Sequence, residues 1–416
     1  MLYLESFVHR DALAEIISRW MVDHPLPGDV ERLKTIVNFN SYVSRIWTDR
    51  LTKDIIKSFT GMEPRRLVVR TKGQLKDFVV AHPRYTSERI EEMLSRYGKF
   101  PEDFYRETPI DGAMYVNDLG GALQFVGSSR IKRFRRVAEK GSRRIVDYML
   151  ARIRANADAL AEERAKSLGI PKDRLLTPPE QMVEEFNHAE RRLIKSIKQG
   201  TIQSELPPLS IPDVAGIKLI AEPDEYVRLF DILQSSPWCT VLEEEKHSGN
   251  YKGTNLRVSY LLPKEMLEAM PPSGGYLKVL DFRGFDAHMV ADQYREFIRA
   301  AEERVRLEII VSDFQEFLES EIGRSMHEER VLSQRSHRDY NGHLATNIRY
   351  LMDFILSLCR APSQKDLEEV PIKLWVKYMP DTIERSVRNL YIPDDYFFDT
   401  VPVQSMQAAP DRTIDA

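Results

Sequence analysis

Cysteine is scarce in this chain: its 416 residues include only Cys239 and Cys359. The two lie far apart in the sequence, have no spacing known for metal ligands, and are too few for a framework of several disulfides. Their scarcity excludes the class of small disulfide-stabilised secreted proteins and is typical of a reducing compartment. We therefore predict a cytoplasmic location.

Long apolar runs are absent as well. The longest, residues 351–359, is far shorter than the roughly 20 residues that a membrane-spanning helix needs. The first residues, Met1 to Ser6, include an acid and lack a basic segment followed by an apolar one, so they do not predict a signal peptide. We expect no membrane partner.

The chain also lacks an excess of one charge, because 60 basic residues nearly balance 64 acidic ones. The hydrophobic fraction of 42% and the charged fraction of 30% are typical of a globular protein and not of a disordered one. The length is too great for one ordinary core and predicts two or three domains.

One segment departs from this balance of charge. Residues 128–144 carry eight basic side chains and one acid, Glu139. Such a basic stripe could hold phosphates or RNA, and it could equally be the solvated face of a helix. Its members are Arg130, Lys132, Arg133, Arg135, Arg136, Lys140, Arg143 and Arg144.

The turn residues and the apolar pattern divide the chain into regions. Gly169-Ile-Pro171 and Thr177-Pro-Pro179 mark a boundary between helical segments and a central α/β part. The tail has too few apolar residues to pack. The predicted regions are a mainly helical part over residues 1–165, a central domain over 170–330, a helical segment over 331–402 and a disordered tail over 403–416.

Within the central part, strands and helices alternate. The run Val214–Ile220 is continuous and rich in β-branched residues, which is typical of a strand inside a sheet. The pattern predicts an α+β or α/β fold, with a mixed sheet and helices packed on it. Further strands are predicted at residues 66–70, 240–243, 256–262, 277–282 and 306–311, and helices at 129–167 with a break at Gly141-Ser142, 180–198, 222–234, 286–303, 311–330 and 344–359.

Two acids stand where an unpaired charge is unfavourable. Asp213 directly precedes the first buried strand, and Glu308 lies inside the apolar run Arg306–Val311. If the two strands are neighbours, the carboxylates can share one Mg²⁺ whose other ligands are substrate phosphates. Alternatively, Asp213 only ends a turn, and Glu308 faces solvent from an edge strand.

Two further elements could contact a nucleotide. The polar loop from His247 to Leu256 includes Tyr251, which could stack on a base, and Lys252, which could meet phosphate. The helix that ends near residue 198 carries a basic face that could neutralise a triphosphate. An ordinary hairpin loop and a solvated helix face are the alternatives. The basic face consists of Arg191, Arg192, Lys195 and Lys198.

Taken in order, these elements resemble the RelA/SpoT-type alarmone synthetase domain of the nucleotidyltransferase superfamily. The resemblance covers about residues 186–330. The family's Asp-x-x-Gly-Ile-Arg strand corresponds to Asp213-Val-Ala-Gly-Ile-Lys218, and its Gly-Tyr-x-Ser-Leu-His loop to Asn250-Tyr-Lys-Gly-Thr-Asn255. Its Glu-Ile-Gln-Val-Arg-Thr strand corresponds to Glu308–Asp313, and the acid of its Trp-Ala-Glu helix to Glu321.

The resemblance implies magnesium-dependent transfer of pyrophosphate from ATP to the 3′-hydroxyl of GDP or GTP. It implies that Asp213 and Glu308 bind Mg²⁺ and carry the catalysis, and that a set of other residues contacts the nucleotides. That set comprises Tyr251, Lys218, Arg191, Arg192, Lys195, Lys252, Asn255 and Glu321.

Several positions depart from the family pattern. Lys218 replaces an arginine, Gly253 a serine and Asn255 a histidine. These changes leave open which nucleotide, or which tRNA, is the acceptor. They also leave two alternatives: a regulatory protein with a decayed site, and a toxin-like transferase that docks RNA on the Arg130–Arg144 stripe. A homo-oligomer is compatible with each of them.

Three histidines lie near one another late in the sequence. His327, His337 and His343 are separated by ten and six residues, intervals that fit neither a one-turn pair nor a known set of metal ligands. We expect them to be surface residues.

Overall fold

The computed structural model describes residues 1–202, 207–249, 252–336, 340–362, 365–388 and 390. Over these residues the protein is a mixed α+β structure, as the sequence predicts. It has a seven-stranded sheet and a small sheet of two parallel strands, β1 and β5. The predicted disordered tail, residues 403–416, lies outside the described residues.

The large sheet is mostly antiparallel. Its strand order is β2-β3-β4-β6-β9-β8-β7, and β6 and β9 are its parallel pair. The order means that strands from both halves of the sequence share one ladder. The strands are β1 (Leu2–Leu4), β2 (Arg65–Thr71), β3 (Pro109–Leu119), β4 (Ala122–Ile131), β5 (Leu209–Ile211), β6 (Ala215–Ile220), β7 (Cys239–Ser248), β8 (Lys252–Leu261) and β9 (Arg304–Ser312).

Helices cover both faces of this sheet. The α-helices are α1 (Arg10–Met21), α2 (Asp29–Thr60), α3 (Lys72–Ala81), α4 (Glu88–Lys99), α5 (Phe134–Ser167), α6 (Pro179–Lys198), α7 (Pro223–Ser235), α8 (Lys264–Glu268), α9 (Gly274–Phe282), α10 (Val290–Arg299), α11 (Phe314–Ile322), α12 (His327–Ser336), α13 (His343–Leu358) and α14 (Pro380–Arg388). None of the described helices combines the length and the apolar character that crossing a bilayer requires.

The two faces of the sheet have separate hydrophobic cores. On one face, Ile217 and Ile309 join a large core with helices that include α1, α2, α5, α10 and α13. On the other face, Ile220 and Phe125 join a smaller core with α3, α4 and α11. Gly216 and Glu308 lie on the face of the smaller core, because side chains along a strand alternate between the two faces. This face carries the candidate site.

The N-terminal region contributes more strands than the sequence analysis predicted. β2 was expected, but β3 and β4 were not. They form a hairpin whose two turn residues, Gly120 and Gly121, have φ values of +69° and +97°. Such a turn requires residues that tolerate positive φ, and a Gly-Gly pair between apolar strands is a hairpin signal. The region over residues 1–165 therefore contains helices and also contributes three strands, β2, β3 and β4, to the large sheet.

Three other predicted elements are wrong. The segment 277–282 is not a strand but part of α9, which follows two prolines and the N-cap residue Ser273. The helix predicted over residues 311–330 is divided into α11 and α12, because β9 extends to Ser312 and α11 ends before Gly323.

The predicted break in the helix over 129–167 is the third error. α5 begins at Phe134 and continues through Gly141. A Cβ atom added at Gly141 would come within 2.8 Å of Leu2 Cδ2 and 3.1 Å of Met352 Cε. The glycine therefore allows close packing between α5, β1 and α13, and does not interrupt the helix.

Candidate functional site

The parallel pairing of β6 and β9 brings the two predicted acids together. Gly216 lies opposite Glu308 in the ladder, and Asp213 lies three residues before Gly216, just ahead of the start of β6. Asp213 itself is not part of the strand, because residues 212–214 form a turn between β5 and β6. The negative charge of Asp213 acts on Glu308 strongly enough to contribute to a raised pKa of the Glu308 carboxyl. The two acids therefore lie at the same end of the sheet and interact electrostatically.

Asp213 is held by two lysines from the basic stripe. The ammonium of Lys132 lies 2.7 Å from Asp213 Oδ2, and the ammonium of Lys140 contacts the same oxygen. Burial alone would raise the pKa of Asp213, but the two cations outweigh it and hold the pKa at about 2. Asp213 is therefore ionised at every physiological pH.

Glu308 has a different environment. It is half-buried, and its Oε1 accepts a hydrogen bond of 3.2 Å from Asn255 Nδ2. Burial raises the pKa of Glu308, and the charge of Asp213 raises it further against the opposing effect of Lys132 and Lys140. The site thus pairs a permanently ionised acid with one whose ionisation is unfavourable, which is the arrangement of an acid and base pair.

The donor atoms fit a hard divalent cation. Among the described residues, Asp213 Oδ1 and Glu308 Oε2 accept no hydrogen bond, so each carboxylate keeps one oxygen available. Asn255 Oδ1 is buried and has no hydrogen-bond partner in the described part of the chain. Groups of three or more acidic, histidine or cysteine ligands do not occur among these residues. Two carboxylates with phosphate and water oxygens form a common magnesium site.

Lys218 and Glu321, both predicted to contact nucleotide, form an ion pair with each other. The Lys218 ammonium lies 3.3 Å from Glu321 Oε1, donates to Ser320 Oγ at 2.9 Å and lies over the ring of Phe317. Burial lowers the pKa of Lys218 to about 8, and Glu321 counteracts part of that effect. In this structure both side chains have partners within the protein. Their contacts with a nucleotide stay predictions.

Glu321 is the centre of a larger buried ion network. Its side chain is 3% exposed and lies 2.6 Å from the Lys72 ammonium and 3.5 Å from Arg130 Nη2. Lys72 also lies 3.0 Å from Glu328 Oε1. These ion pairs join α3, β4, β6, α11 and α12. Four cations thus surround two carboxylates: the cations are Lys72, Lys76, Lys218 and Arg130, and the carboxylates are Glu321 and Glu328.

Of the other predicted nucleotide contacts, Asn255 reaches Glu308, whereas Lys252 and the basic face of α6 do not reach the carboxylates. Tyr251 lies outside the described residues. Lys252 begins β8 and its ammonium lies 3.3 Å from Glu316 Oε1 on α11. Within the described part of the chain, the basic face of α6 makes no ion pair with either carboxylate; its exposed members are Arg191, Arg192, Lys195 and Lys198.

The basic stripe is not one continuous surface. Arg130 contacts Glu321, and Lys132 and Lys140 contact Asp213. Arg136 and Arg143 pair with acids one turn away on α5, at Glu139 and Asp147. Several of the charges are therefore neutralised within the molecule, and the predicted contact with RNA stays a prediction.

The structure describes two of the three histidines, and only one of them is exposed as expected. His327 is exposed at the start of α12, and His343 is half-buried at the start of α13. His337 lies outside the described residues. Neither described histidine belongs to a set of three possible metal ligands.

The sequence analysis missed four residues next to the carboxylates. Lys132 and Lys140 were noted only as members of the basic stripe, because no local pattern connects them with an acid more than 70 residues away. Glu5 and Ser6 were also missed. Arg257, directly opposite Glu308 in the ladder, donates to Glu5, and the Ser6 hydroxyl contacts the backbone of both site strands.

Compared with protein-family models and with curated proteins, the chain matches none of them. The resemblance to the alarmone synthetase domain therefore depends on the motif residues and on their geometry. In chemical terms, that geometry offers two carboxylates, two lysines and an amide at one end of the sheet. Such a set can hold a cation and phosphate oxygens together.

Proposed function

We propose that this protein is a magnesium-dependent pyrophosphotransferase of the alarmone-synthetase type, with a nucleotidyltransferase-like arrangement of strands β6, β8 and β9. Its substrates would be ATP and a nucleotide acceptor with a free 3′-hydroxyl, such as GDP or GTP. Asp213 and Glu308 would be the catalytic carboxylates.

One observation carries the proposal. Gly216 pairs with Glu308 across two parallel strands, and Asp213 lies three residues before Gly216, so the acids of two distant motifs reach the same end of the sheet. Neither strand lies at the sheet edge, since β4 flanks β6 and β8 flanks β9. The alternatives were an Asp213 that only ends a turn and a Glu308 that faces solvent from an edge strand. Neither alternative would lead us to expect the two acids at the same end of the sheet.

The surroundings support distinct roles for the two acids. Asp213 is permanently ionised and suits a metal ligand, because a hard cation prefers a charged oxygen. The raised pKa of Glu308 suits the group that accepts the proton of the attacking hydroxyl, since a higher pKa makes a carboxylate a stronger base. Bound magnesium would supply charge stabilisation for the phosphate oxygens.

Lys132 and Lys140 would support the same reaction. In this structure both ammonium groups contact Asp213. Compact cations of this kind can exchange a carboxylate partner for phosphate oxygens. Their attraction for a triphosphate would place its reacting end beside the two acids.

The decisive experiment is incubation with ATP, Mg²⁺ and GDP or GTP, with chromatography of the nucleotides. The expected products are AMP and a nucleotide that carries a 3′-pyrophosphate. Asp213→Asn and Glu308→Gln should each reduce the rate by about a thousandfold or more, as loss of a catalytic carboxylate or base generally does. If the wild-type protein releases no AMP with any acceptor nucleotide, the proposal fails.

A matched control separates chemistry from folding. Asp224→Asn makes the same substitution at an exposed acid in the first turn of α7. We expect it to retain wild-type activity. Equal loss of activity in Asp224→Asn and Asp213→Asn would argue that the assay reports general damage and not removal of a ligand.

A second candidate is a regulatory protein that binds nucleotide without turnover. The observation that favours it is the pairing of Lys218 with Glu321 and of Asp213 with two lysines, which occupies side chains that an active enzyme would present to its substrates. It predicts that ATP or GTP raises the melting temperature while no AMP forms. Turnover in the assay above would exclude it.

A further inference from the structure

The segment Leu2–Ser6, here called the N-terminal strap, lies across the strands that carry the two acids. β1 pairs in parallel with β5, the short strand immediately before the Asp213 turn. The backbone N–H of Glu5 donates to Ile211 O at 3.2 Å, and the N–H of Arg306 donates to Glu5 O at 3.0 Å. The strap is therefore hydrogen-bonded to the approach to Asp213 and to the first half of β9.

Ser6 makes this connection with its side chain. Its hydroxyl donates to Arg306 O at 2.9 Å and accepts from the Ala215 N–H at 3.2 Å, and Pro212 O lies 3.3 Å away. Ala215 is the second residue after Asp213, and Arg306 is the second residue before Glu308. Ser6 is completely buried, so water cannot replace these bonds.

The turn that carries Asp213 depends on such contacts. Residues 212–214 lie outside the ladder of the large sheet, so strand pairing does not fix them. The backbone N–H of Lys132 donates to Val214 O at 2.8 Å. The side chains of Lys132 and Lys140 also hold Asp213, and the Ser6 hydroxyl connects the turn to β9. Without the Ser6 hydroxyl, the turn and β9 would lose the side chain that connects them directly.

Glu5 reinforces the strap with the ion pairs of its side chain. Its carboxylate is 7% exposed, accepts a hydrogen bond from Ser210 and pairs with Arg257 at 3.3 Å and with Arg306 at 3.6 Å. Arg257 is the direct neighbour of Glu308 in the ladder. The strap therefore also fixes the cation beside the second acid.

From these contacts we propose that Ser6 is a positioning residue that sets the relative placement of Asp213 and Glu308, and so their joint capacity to hold a divalent cation. This inference rests on the proposed function, because it assigns the cation to that same site. It adds a residue from outside the segment that resembles the synthetase domain. Loss of outer contacts of this kind commonly weakens metal binding by tenfold or more.

The test compares Ser6→Ala with Ser18→Ala in the full chain. Ser18 is a matched control, since it is also buried and its hydroxyl also donates to a backbone oxygen, within α1. Mn²⁺, followed by its electron paramagnetic resonance signal, serves as the probe for the cation. Ser6→Ala should bind Mn²⁺ about tenfold more weakly than the wild type, and Ser18→Ala should bind it equally well.

A second measurement does not depend on any metal. Amide hydrogen exchange at Ala215 should be at least about fivefold faster in Ser6→Ala, because its N–H loses a buried acceptor. Ser6→Cys retains a hydrogen-bonding group, although a weaker one. Its values should lie between those of the wild type and Ser6→Ala in both measurements. If Ser6→Ala does not fold, Ser6→Cys carries the comparison.

The outcomes separate the two proposals. If Mn²⁺ affinity and Ala215 exchange respond as expected while no AMP forms, the transferase proposal fails and the role of Ser6 holds. If the wild type releases AMP, and Ser6→Ala equals Ser18→Ala in Mn²⁺ affinity and in Ala215 exchange, the role of Ser6 is refuted and the transferase proposal holds.

Discussion

The ammonium of Lys132 lies 2.7 Å from Asp213 Oδ2, and together with Lys140 it keeps the pKa of Asp213 at about 2. The folded-state pKa lies below the ordinary value of 3.8, so ionised Asp213 stabilises the fold above about pH 4. That contribution is lost as the pH falls towards 2. We therefore predict that Asp213→Asn lowers the free energy of unfolding at pH 7 by roughly 2 kcal/mol.

Urea denaturation of the two proteins at several pH values measures this effect. The difference between wild type and Asp213→Asn should be full at pH 7 and should shrink between pH 4 and pH 2. A difference of the same size at pH 3 and pH 7 would contradict the electrostatic explanation and indicate a packing effect instead.

Glu308 leads to the opposite prediction. Its pKa is raised, first by burial and then by the charge of Asp213, so its ionised form disfavours the folded state. Glu308→Gln removes that charge and retains an oxygen that can accept the Asn255 hydrogen bond. We expect this variant to be more stable than wild type at pH 7, by about 1 kcal/mol.

The pH dependence checks the cause. As the pH falls, wild-type Glu308 becomes protonated and the advantage of the variant should disappear. Thermal unfolding at pH 5 and pH 8 is a sufficient comparison, with a larger gap expected at pH 8. A variant that is less stable than wild type at pH 8 would show that ionised Glu308 is compensated in the free protein.

The buried ion network predicts a large loss of stability on removal of its central acid. Glu321→Gln would leave Lys72, Lys218 and Arg130 without their shared carboxylate in a buried place. Breaking a buried pair from one side generally costs about 3–5 kcal/mol. Denaturant unfolding should show this loss.

Glu319→Gln is the matched control on the same helix, α11. Glu319 pairs with Arg89, and both side chains are more exposed than those of Lys72 and Glu321. Its loss should therefore be clearly smaller than that of Glu321→Gln, because water solvates what remains. Equal losses in the two variants would argue against a special role for the network.

Gly141 and Gly98 give a prediction about packing. Both lie inside helices, where alanine is intrinsically favoured over glycine by about 1 kcal/mol. At Gly98 a Cβ atom meets nothing within 4 Å, so Gly98→Ala should stabilise the protein. At Gly141 a Cβ atom would lie 2.8 Å from Leu2 Cδ2, so Gly141→Ala should destabilise it by about 1–2 kcal/mol.

Melting temperatures of the two variants test this difference of sign. A rise for both substitutions would mean that Leu2 and Met352 can move aside at little cost. In that case Gly141 would have no packing role, and helix propensity alone would decide the outcome.

Strands with a continuous apolar pattern could be predicted from the sequence. β6 and β9 are such runs, and the structure confirms both, together with β2 and the pair β7 and β8. A strand that is buried on both faces has a continuous apolar sequence, and that pattern can be recognised without knowing the strand's partners. That β6 and β9 are neighbours was only a condition in the sequence analysis; the structure confirms it and shows that the two strands are parallel.

Elements whose identity depends on tertiary context could not be predicted in this way. Residues 277–282 combine apolar and polar residues in a short run that suits a strand or a helix equally, and packing decides for α9. The β3–β4 hairpin is different, because its Gly120-Gly121 signal was present and was not used.

The electrostatic partners of the site were also beyond the sequence. Lys132 and Asp213 are 81 residues apart, and no local pattern indicates that two such residues meet. Lys218 and Glu321 were predicted to face a nucleotide, yet each finds its counter-charge in the other. Sequence spacing can indicate which charged residues have a structural or functional role, but only the fold determines their partners.

The pairing of β4 with β6 has a consequence for how this protein could be dissected or recombined. Residues 170–330 alone would leave the β6 edge bare, along the register from Ala215 to Leu219 that β4 otherwise covers. An uncovered edge of that kind invites pairing with other chains. A fragment of residues 170–330 should therefore aggregate when expressed alone, and this part of the chain could not be moved into another protein as a self-sufficient module.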